Sequence, residues 1–304
     1  MDAALLFRIC PADGVAGRPG RFILHTSRIS LIRDIIIVLF LEIIMAIPSD
    51  VLKKWSNPGK NEMSKQTFAA LRDLLINRLD RPLPFIFLQG SYANSTNVRD
   101  NSDIDIVVEF SSDIDVTCLK EYIFRKINNV NNFHFTKGAK TVKFKGRMNQ
   151  YVPADIVPCV SVEGKTGCVK VYDSTLKKTI YNYPKIHIEN GKKKSRMTNG
   201  NFKKAVRMMK NARNYLEDRN IKTGVASYTI ECMLYNVPDT LFSGNESDVL
   251  YNVLDWFNKN ERSMSKMRTQ DGKSDLFSGS RSVKGAMQFI DCVIDLWNNW
   301  EEYQ

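Results

Sequence analysis

The sequence is poor in the residues that build metal-stapled or disulfide-stapled domains. Its 304 residues contain three histidines and six cysteines, and no two cysteines form a Cys-x-x-Cys pair. These spacings argue against a structural zinc site. Scattered cysteines in a chain without a secretory signal are typical of free thiols in a reducing cytosol. We therefore expect a cytoplasmic protein without firm membrane association.

The sequence also lacks an apolar run long enough to cross a membrane. The apolar stretch at residues 35–47 is interrupted by Glu42, and it is shorter than the roughly 20 residues that a membrane span needs. Residues 1–44 differ in character from the rest of the chain, and Met45 opens a stretch that reads as a natural start. Two interpretations of residues 1–44 stay open, a dispensable upstream extension and a weak anchor.

Acidic residues are too few to balance the basic ones. Forty-four Lys and Arg against 33 Asp and Glu give a net charge of +11, which favours anionic partners such as nucleotides, nucleic acid or an acidic membrane surface. The hydrophobic share of 43% argues against a disordered chain. Composition alone does not choose among the anionic partners.

Hydrophobic periodicity divides the chain into a mixed half and a helical half. Apolar residues at three- and four-residue steps predict a helix from Ser64 that ends before Pro82, and alternation predicts strands after it. The second half reads as helix, apart from a predicted mobile loop at residues 189–200 that contains the lysine run 192–194. We predict an α+β protein with a core over residues 45–185 and a helical lobe over 186–304. The predicted strands are 85–89, 103–110, 142–145 and 152–160, and the predicted helices of the lobe are 201–218, 228–234 and 282–300.

The segment from Gln89 to Val108 carries the chemistry. Asp103 and Asp105 are two residues apart on a predicted strand, so both carboxylates leave the same face and are able to share divalent cations. Gly90 and Ser91 stand upstream, where a glycine lets a phosphate approach backbone N–H groups closely. The segment predicts a metal-dependent phosphate chemistry.

A second copy of the same tetrapeptide serves as a control. Ser112-Asp-Ile-Asp115 repeats Ser102-Asp-Ile-Asp105. The copy has no Gly-Ser turn upstream, and it precedes a predicted helix, where an aspartate caps the first turn. We predict a structural role for Asp113 and Asp115.

The Gly-Ser and Asp-x-Asp pattern resembles the nucleotidyltransferase superfamily of DNA polymerase β type. The resemblance implies a third acid on a later strand, and Asp155 in Asp-Ile-Val-Pro158 matches the form found in the branch of oligoadenylate synthases and bacterial CD-NTases. The implied fold is a polymerase-β-like nucleotidyltransferase core with a mixed β-sheet, followed by a C-terminal helical lobe like that of oligoadenylate synthase. For Asp155 the alternative is a backbone bond in a turn.

Two matches extend the resemblance into the helical half. Residues 206–213 resemble the branch's spine helix, and 227–233 resemble its Ser-Tyr-x-Leu-Glu element. The resemblance implies that Lys210 and Ser227 bind the donor triphosphate and that Tyr228 stacks on its base. For the cations the alternative is a solvated basic helix face, for Ser227 it is a helix cap, and for Tyr228 it is packing in the core. The complete predicted nucleotide-binding set is Gln89, Gly90, Ser91, Lys203, Arg207, Lys210, Ser227 and Tyr228, in which Lys203, Arg207 and Lys210 share one helical face.

The resemblance implies a synthase of cyclic oligonucleotides, most simply a cyclic dinucleotide, for antiphage (CBASS-type) signalling. It implies NTP substrates, two Mg²⁺ ions (or Mn²⁺) at Asp103, Asp105 and Asp155, a separate effector receptor for the product, and room for regulatory partner proteins. Without a zinc insertion, no obligate nucleic-acid activator is expected. Rival hypotheses are a linear RNA or tRNA-end nucleotidyltransferase and a non-catalytic nucleic-acid or partner-binding module. Ser95 stands where family members often have Gly.

Overall fold

A seven-stranded mixed sheet forms the first half of the protein. The structure, a computed structural model, describes residues 46–80, 83–100, 102–130 and 133–304. The extension or anchor predicted at residues 1–44 lies outside these residues. The strands are β1 (Phe85–Gln89), β2 (Ile104–Phe110), β3 (Phe135–Lys137), β4 (Val142–Phe144), β5 (Ala154–Ser161), β6 (Val169–Asp173) and β7 (Lys178–Asn182).

The two central strands of the sheet run parallel and are almost wholly buried. The strand order is β1-β2-β5-β4-β3, with β6 beside β5 and β7 beside β6. β2 and β5 are the parallel pair, and their near-continuous Ile and Val content is typical of strands covered on both faces. Both begin at the same edge of the sheet, so the residues at their starts lie side by side.

Helices cover the sheet and build the second half. Among the described residues there are nine α-helices, and the last five form the lobe together with short 3₁₀ turns at Asp239–Leu241, Glu261–Lys266 and Trp300–Tyr303. The α-helices are α1 (Ser49–Ser56), α2 (Glu62–Arg78), α3 (Gly90–Ala93), α4 (Val116–Ile127), α5 (Pro184–Met197), α6 (Asn201–Glu217), α7 (Ser227–Tyr235), α8 (Glu246–Lys259) and α9 (Val283–Asn298).

Two hydrophobic cores correspond to the two halves. One lies between the sheet and helices α2 and α4, with Leu71, Ile106 and Ile123 fully buried. The other lies inside the lobe and includes Phe202 of α6. Helix α1 precedes the sheet in the chain but packs into the lobe core through Leu52. Helix α1 therefore packs with the lobe, although it precedes the first strand of the sheet in the chain.

The predicted mixed sheet followed by a helical lobe is confirmed, and the predicted loop at residues 189–200 is wrong. Most of that segment belongs to helix α5, which begins at Pro184, where a proline suits the first helical position. Gly191 lies against the side-chain amide of Gln270, and a Cβ there would come within 2.6 Å of its nitrogen. Lys194 is buried and bonds to Val237 O and Asp239. Contacts with residues far along the chain thus stabilise this stretch as a helix, although its polar sequence predicts a loop.

None of the described helices combines the length and the apolar content that a membrane crossing requires.

Candidate active site

A row of polar side chains crosses five strands at the edge where β2 and β5 begin. The β-ladder places Gln89 opposite Asp105, Asp105 opposite Asp155, Asp155 opposite Lys143, and Lys143 opposite Thr136. Residues directly opposite on neighbouring strands share a face, with Cβ atoms roughly 4.5–5.5 Å apart. The pattern on β2 and β5 therefore brings the predicted carboxylates together.

The aspartates of this row line a cleft of about 330 Å³. Its walls are Asp103, Asp105, Asp155, Thr136, Lys143, Lys145 and the backbone around Pro153. Asp105 is the most enclosed of the three acids, and burial, then Asp155, then Asp103 raise the pKa of its carboxyl to about 6. Three like charges facing one cleft favour a cation between them.

Asp155 lies at the centre of the row, next to Asp105 and on the far side of it from Gln89. Its carboxylate accepts a hydrogen bond from Thr141 Oγ1 at 3.3 Å, and Lys143 Nζ lies 4.0 Å away. In the part of the chain that the structure describes, no three acidic, His or Cys side chains converge closely enough to hold a metal ion as they stand. The backbone positions and the oxygen donors fit a hard divalent cation, while the Asp155 side chain is directed toward the hairpin of β3 and β4.

Gly90 lies directly beside Asp105, next to the cleft. Strand β1 ends at Gln89, and the chain turns at once into the short helix α3. Gly90 has φ +69°, and a Cβ there would lie 2.2 Å from Asp105 Oδ2. Only glycine allows the turn to pass this close to the carboxylate, so the Gly-Ser turn and the Asp-x-Asp pair form one site.

Gly90→Ala is expected to abolish or nearly abolish nucleotidyl transfer, because the new methyl group must displace Asp105 and the backbone is strained at positive φ. Gly164→Ala is the matched control, since it also has positive φ but has open space around it. Pyrophosphate release measured for both variants checks this. Equal activity of the two variants would contradict the close approach.

The second Ser-Asp-Ile-Asp copy has the structural role predicted for it. Asp115 is the N-cap of α4, and its side chain accepts from Thr117 N. Hydrogen bonds from the Thr117 side chain and backbone hold the pKa of Asp115 below its usual range. The copy is therefore a helix start on the surface.

Two of the predicted nucleotide-binding cations, Arg207 and Lys210, have partners inside the protein. Arg207 donates to Ser95 O at 2.6 Å and also to Ser56 O. Lys210 Nζ is almost fully buried and donates to Thr96 O and Oγ1, both at 3.1 Å. Both cations thereby fix the loop that follows α3 through bonds within the protein. Lys203, on the same helix, is half-buried, and burial lowers the pKa of its ammonium.

Ser95 shows why this loop needs support. It has φ 55°, in the left-handed region where glycine is the usual residue. The serine that stands here in place of the family's glycine therefore adopts the glycine-like backbone conformation. Arg207 donates directly to the Ser95 carbonyl. The loop keeps the glycine-like shape with a serine in place.

A buried carboxylate that sequence reasoning missed organises the junction between the halves. Glu231 of α7 accepts from Thr96 Oγ1 at 3.0 Å, lies 3.4 Å from Lys210 Nζ, and lies 3.3 Å from His187 Nε2. The signal was the glutamate inside the Ser-Tyr-x-x-Glu segment, flanked by apolar residues that predict burial.

Tyr228 lies at the surface of the junction, with 40% of the residue exposed. Its ring stacks on His187 at 5.5 Å between centroids and 23° between planes. Ser227 Oγ accepts from Arg213 Nη1 at 2.9 Å. The Tyr228 ring is therefore partly exposed, with His187 and the Arg281 guanidinium, 5.6 Å from its centroid, as neighbours, and the Ser227 hydroxyl has a cationic neighbour.

A larger cleft of about 510 Å³ lies elsewhere, between the 161–168 loop and the start of α5. Glu109 and Lys185 face it and form an ion pair at 2.7 Å. None of the three aspartates lines it. The smaller cleft is the candidate active site, because all three aspartates line it.

Comparison with known families agrees with both halves. Residues 77–182 match the nucleotidyltransferase domain family, and residues 189–299 match the cGAS/DncV-like nucleotidyltransferase C-terminal helical domain. The first match includes every member of the cross-strand row, and the second match begins inside α5. The matched segments together contain the three aspartates, the Gly90 turn and all the predicted nucleotide-binding residues.

Individual relatives are similar over nearly their whole length. A cyclic UMP-AMP synthase of Rhodothermus marinus is 32% identical over 295 residues, covering 84% of this chain and 99% of the relative. A cyclic dipyrimidine nucleotide synthase of Legionella pneumophila is 30% identical, covering 69% of this chain and 87% of the relative. The solved structure of the Rhodothermus marinus CdnE c-UMP-AMP synthase superposes with a TM-score of 0.75, covering 84% of this chain and 97% of that one. The chain belongs to the cGAS/DncV-like nucleotidyltransferase (CD-NTase) family.

Proposed function

We propose that this nucleotidyltransferase joins two ribonucleoside triphosphates, in two successive rounds, into a cyclic dinucleotide with release of pyrophosphate. The observation that carries the proposal is the row in which Asp105 and Asp155 face each other beside the Gly90 turn. The names of the relatives, cyclic dinucleotide synthases of several base compositions, support the cyclic product.

The reaction is a displacement at phosphorus. In each round a ribose hydroxyl oxygen of the acceptor bonds to the α-phosphorus of the donor, the bond between that phosphorus and the α–β bridging oxygen breaks, and pyrophosphate leaves. Asp155, at the side of the row away from the glycine turn, accepts the hydroxyl proton. In the second round the linear product supplies both the triphosphate and the hydroxyl, so the same displacement closes the ring.

Asp103, Asp105 and Asp155 are the residues that would hold divalent metal, and we propose two Mg²⁺ ions there, with Mn²⁺ as a substitute. Bound metal supplies charge neutralisation at the donor phosphates and lowers the pKa of the acceptor hydroxyl. The oxygen-only donor set suits these cations. The turn at Gly90 and Ser91, beside Gln89, offers backbone N–H groups to the donor phosphates.

The donor base is proposed to stack on Tyr228. We propose that Ser227 and Arg213, which already bond to each other, face the donor triphosphate. Arg207 and Lys210 are proposed to act indirectly, because they hold the backbone of residues 95–96 next to the phosphate turn. Lys203 remains a predicted nucleotide contact at the edge of this group.

Tyr228→Ala is expected to raise the KM for NTP about ten- to a hundredfold, because base stacking is worth about 1–3 kcal/mol. Tyr228→Phe keeps the ring and should stay within about twofold of the wild type. Steady-state kinetics of pyrophosphate release, with each NTP varied in turn, measures both variants. A Phe variant as weak as the Ala variant would assign the effect to the hydroxyl group.

The product is proposed to be a second messenger of antiphage defence that acts on a separate effector receptor. Regulatory partner proteins would act on the enzyme from outside this site. The family membership supports this role, and the absence of a nucleic-acid requirement is part of the same proposal.

One experiment decides the reaction. The purified protein is incubated with all four NTPs and Mg²⁺ or Mn²⁺, and phosphatase-resistant products are analysed by mass spectrometry. A cyclic dinucleotide is the expected product. Linear chains would favour an RNA or tRNA-end nucleotidyltransferase, and no product under either metal would favour a non-catalytic binding module.

A further inference from the structure

The cleft has a cationic wall that the proposed reaction has not yet used. Lys143 and Lys145 are two residues apart at β4, so their side chains leave the same face, and both line the cleft with the three aspartates. Lys143 lies next to Asp155 in the row, and Thr136 lies beyond it. Two lysines therefore border the cleft on the side of β3 and β4.

These lysines lie opposite the donor side of the cleft. The glycine turn touches Asp105 on the β1 side, and Asp155 and then Lys143 follow in the other direction along the row. Neighbouring strands are about 4.8 Å apart, so Lys143 is roughly 10 Å from Asp105 along the sheet. When a donor triphosphate lies in the glycine turn with its reacting phosphorus at the aspartates, it does not use the lysines. They are then available to a second anion.

The fold alone does not explain Lys143. Its pair with Asp155 is long, at 4.0 Å, and its side chain is 55% exposed; exposed pairs of this kind add little stability. The other lysines of this hairpin are directed elsewhere, as Lys137 pairs with Glu121 at 2.9 Å and Lys140 lies 3.8 Å from Asp173. The hairpin thus presents one pair of lysines to the cleft and keeps the others away from it.

We infer that Lys143 and Lys145 form a binding site for the triphosphate of the acceptor nucleotide. The inference rests on the proposed function, in which the acceptor of the first round is itself an NTP and carries a triphosphate that the donor turn does not hold. In the second round the acceptor hydroxyl belongs to a nucleotide whose 5′ phosphate is already a diester. The lysines therefore act mainly in the first round.

The test compares the two rounds in Lys143→Ala/Lys145→Ala. With NTPs as substrates, the double variant should show a KM raised at least about tenfold, since a charge-assisted phosphate contact is lost. With a synthetic linear dinucleotide 5′-triphosphate as substrate, the rate of ring closure should stay within about twofold of the wild type. Lys143→Arg/Lys145→Arg should restore the first round, and Lys137→Ala is the matched control from the other face of the hairpin. Equal losses of activity in both rounds would overturn the inference, and would mean that Lys143 acts by positioning the Asp155 carboxylate instead.

A binding measurement separates this inference from the proposed function. Calorimetric titration with inorganic tripolyphosphate and Mg²⁺ should find two sites in the wild type and in Lys137→Ala, and one site in the double lysine variant. Two sites in the double variant would overturn the inference whatever the products are. A wild type that makes no cyclic product would overturn the proposed function, while the titration still decides the lysine site.

Discussion

Asp105→Asn is expected to abolish pyrophosphate release while raising the melting temperature of the metal-free protein. The carboxylate faces Asp103 and Asp155, so its removal costs a ligand of the proposed metal site. Substitutions in the outer shell of a metal site already cost about 10–100-fold, and we expect a loss of more than about a hundredfold here. The stability gain comes from removing a charge that burial, Asp155 and Asp103 disfavour.

The pH dependence of this gain follows from the direction of the pKa shift. The folded pKa of Asp105 is raised from 3.8 to about 6, so the ionised carboxyl opposes folding. Below pH 3.8 the group is protonated in both states and costs nothing; the cost grows between pH 3.8 and 6 and is complete above pH 6. The shift corresponds to at most about 3 kcal/mol, or several degrees in Tm at neutral pH.

Thermal denaturation in EDTA and in Mg²⁺ measures both parts of this prediction. Mg²⁺ should raise the Tm of the wild type by binding the folded state, and it should raise that of Asp105→Asn much less. Asp113→Asn, in the capping copy of the tetrapeptide, should change neither the activity nor the response to Mg²⁺. Activity retained in Asp105→Asn and lost in Asp113→Asn would mean that the wrong pair was chosen.

Glu231→Ala is expected to destabilise the protein by about 3–5 kcal/mol, because it leaves the Lys210 ammonium buried without a counter-charge. It also removes the acceptor for the Thr96 hydroxyl. The predicted fall in Tm is roughly 6–20 °C. Denaturant unfolding followed by circular dichroism measures the free energy directly.

The same carboxylate gives the junction an acid-sensitive component. Burial alone would raise the pKa of Glu231, but hydrogen bonding to His187, the Lys210 charge and the Thr96 hydroxyl together lower it from 4.5 to about 2. Its contribution to stability is therefore complete above pH 4.5 and is lost as the pH falls from 4.5 toward 2. The wild type should lose stability in that window more steeply than Glu231→Gln.

A paired substitution tests the reason for this effect. Lys210→Met with Glu231→Leu removes both buried charges, and such replacements of a buried ion pair by apolar residues are often neutral or stabilising. The double variant should be markedly more stable than Glu231→Ala. If the two are equally unstable, the packing of Glu231 rather than its charge explains the loss.

Strand periodicity predicted that Asp103 and Asp105 lie together at one edge of the sheet, and the resemblance added Asp155; their catalytic role stays a prediction. Asp103 and Asp105 share a face for local reasons, and Asp155 joins them because β2 and β5 start in register. The lysine-rich helix α5 was predicted as a loop, since its order depends on Gln270 and Asp239, both far along the chain. Local patterns do not contain such contacts.

The same difference explains the helical half. The spacing of Lys203, Arg207 and Lys210 indicated one basic face and suggested an anion over it, but the satisfying groups are backbone carbonyls at positions 56, 95 and 96 and the carboxylate of Glu231. A carbonyl oxygen has no signature in the sequence. The sequence did not single out Lys143 as a site residue. An alternating Lys-Phe-Lys strand is typical of an ordinary exposed face, and only the strand pairing places Lys143 beside Asp155.

The bonds from α6 to residues 95 and 96 also limit how the enzyme handles its intermediate. Arg207 and Lys210 join helix α6 of the lobe to the loop that follows the Gly90 turn, so these bonds oppose a hinge motion at this junction. In the proposed reaction, the linear dinucleotide turns around between the two rounds while the loop at residues 95 and 96 keeps its position. We expect its triphosphate to swing from the lysine wall to the glycine turn through the open mouth of the cleft, where escape into solution competes with ring closure. Dilution of the enzyme after the first round should therefore increase the share of linear product.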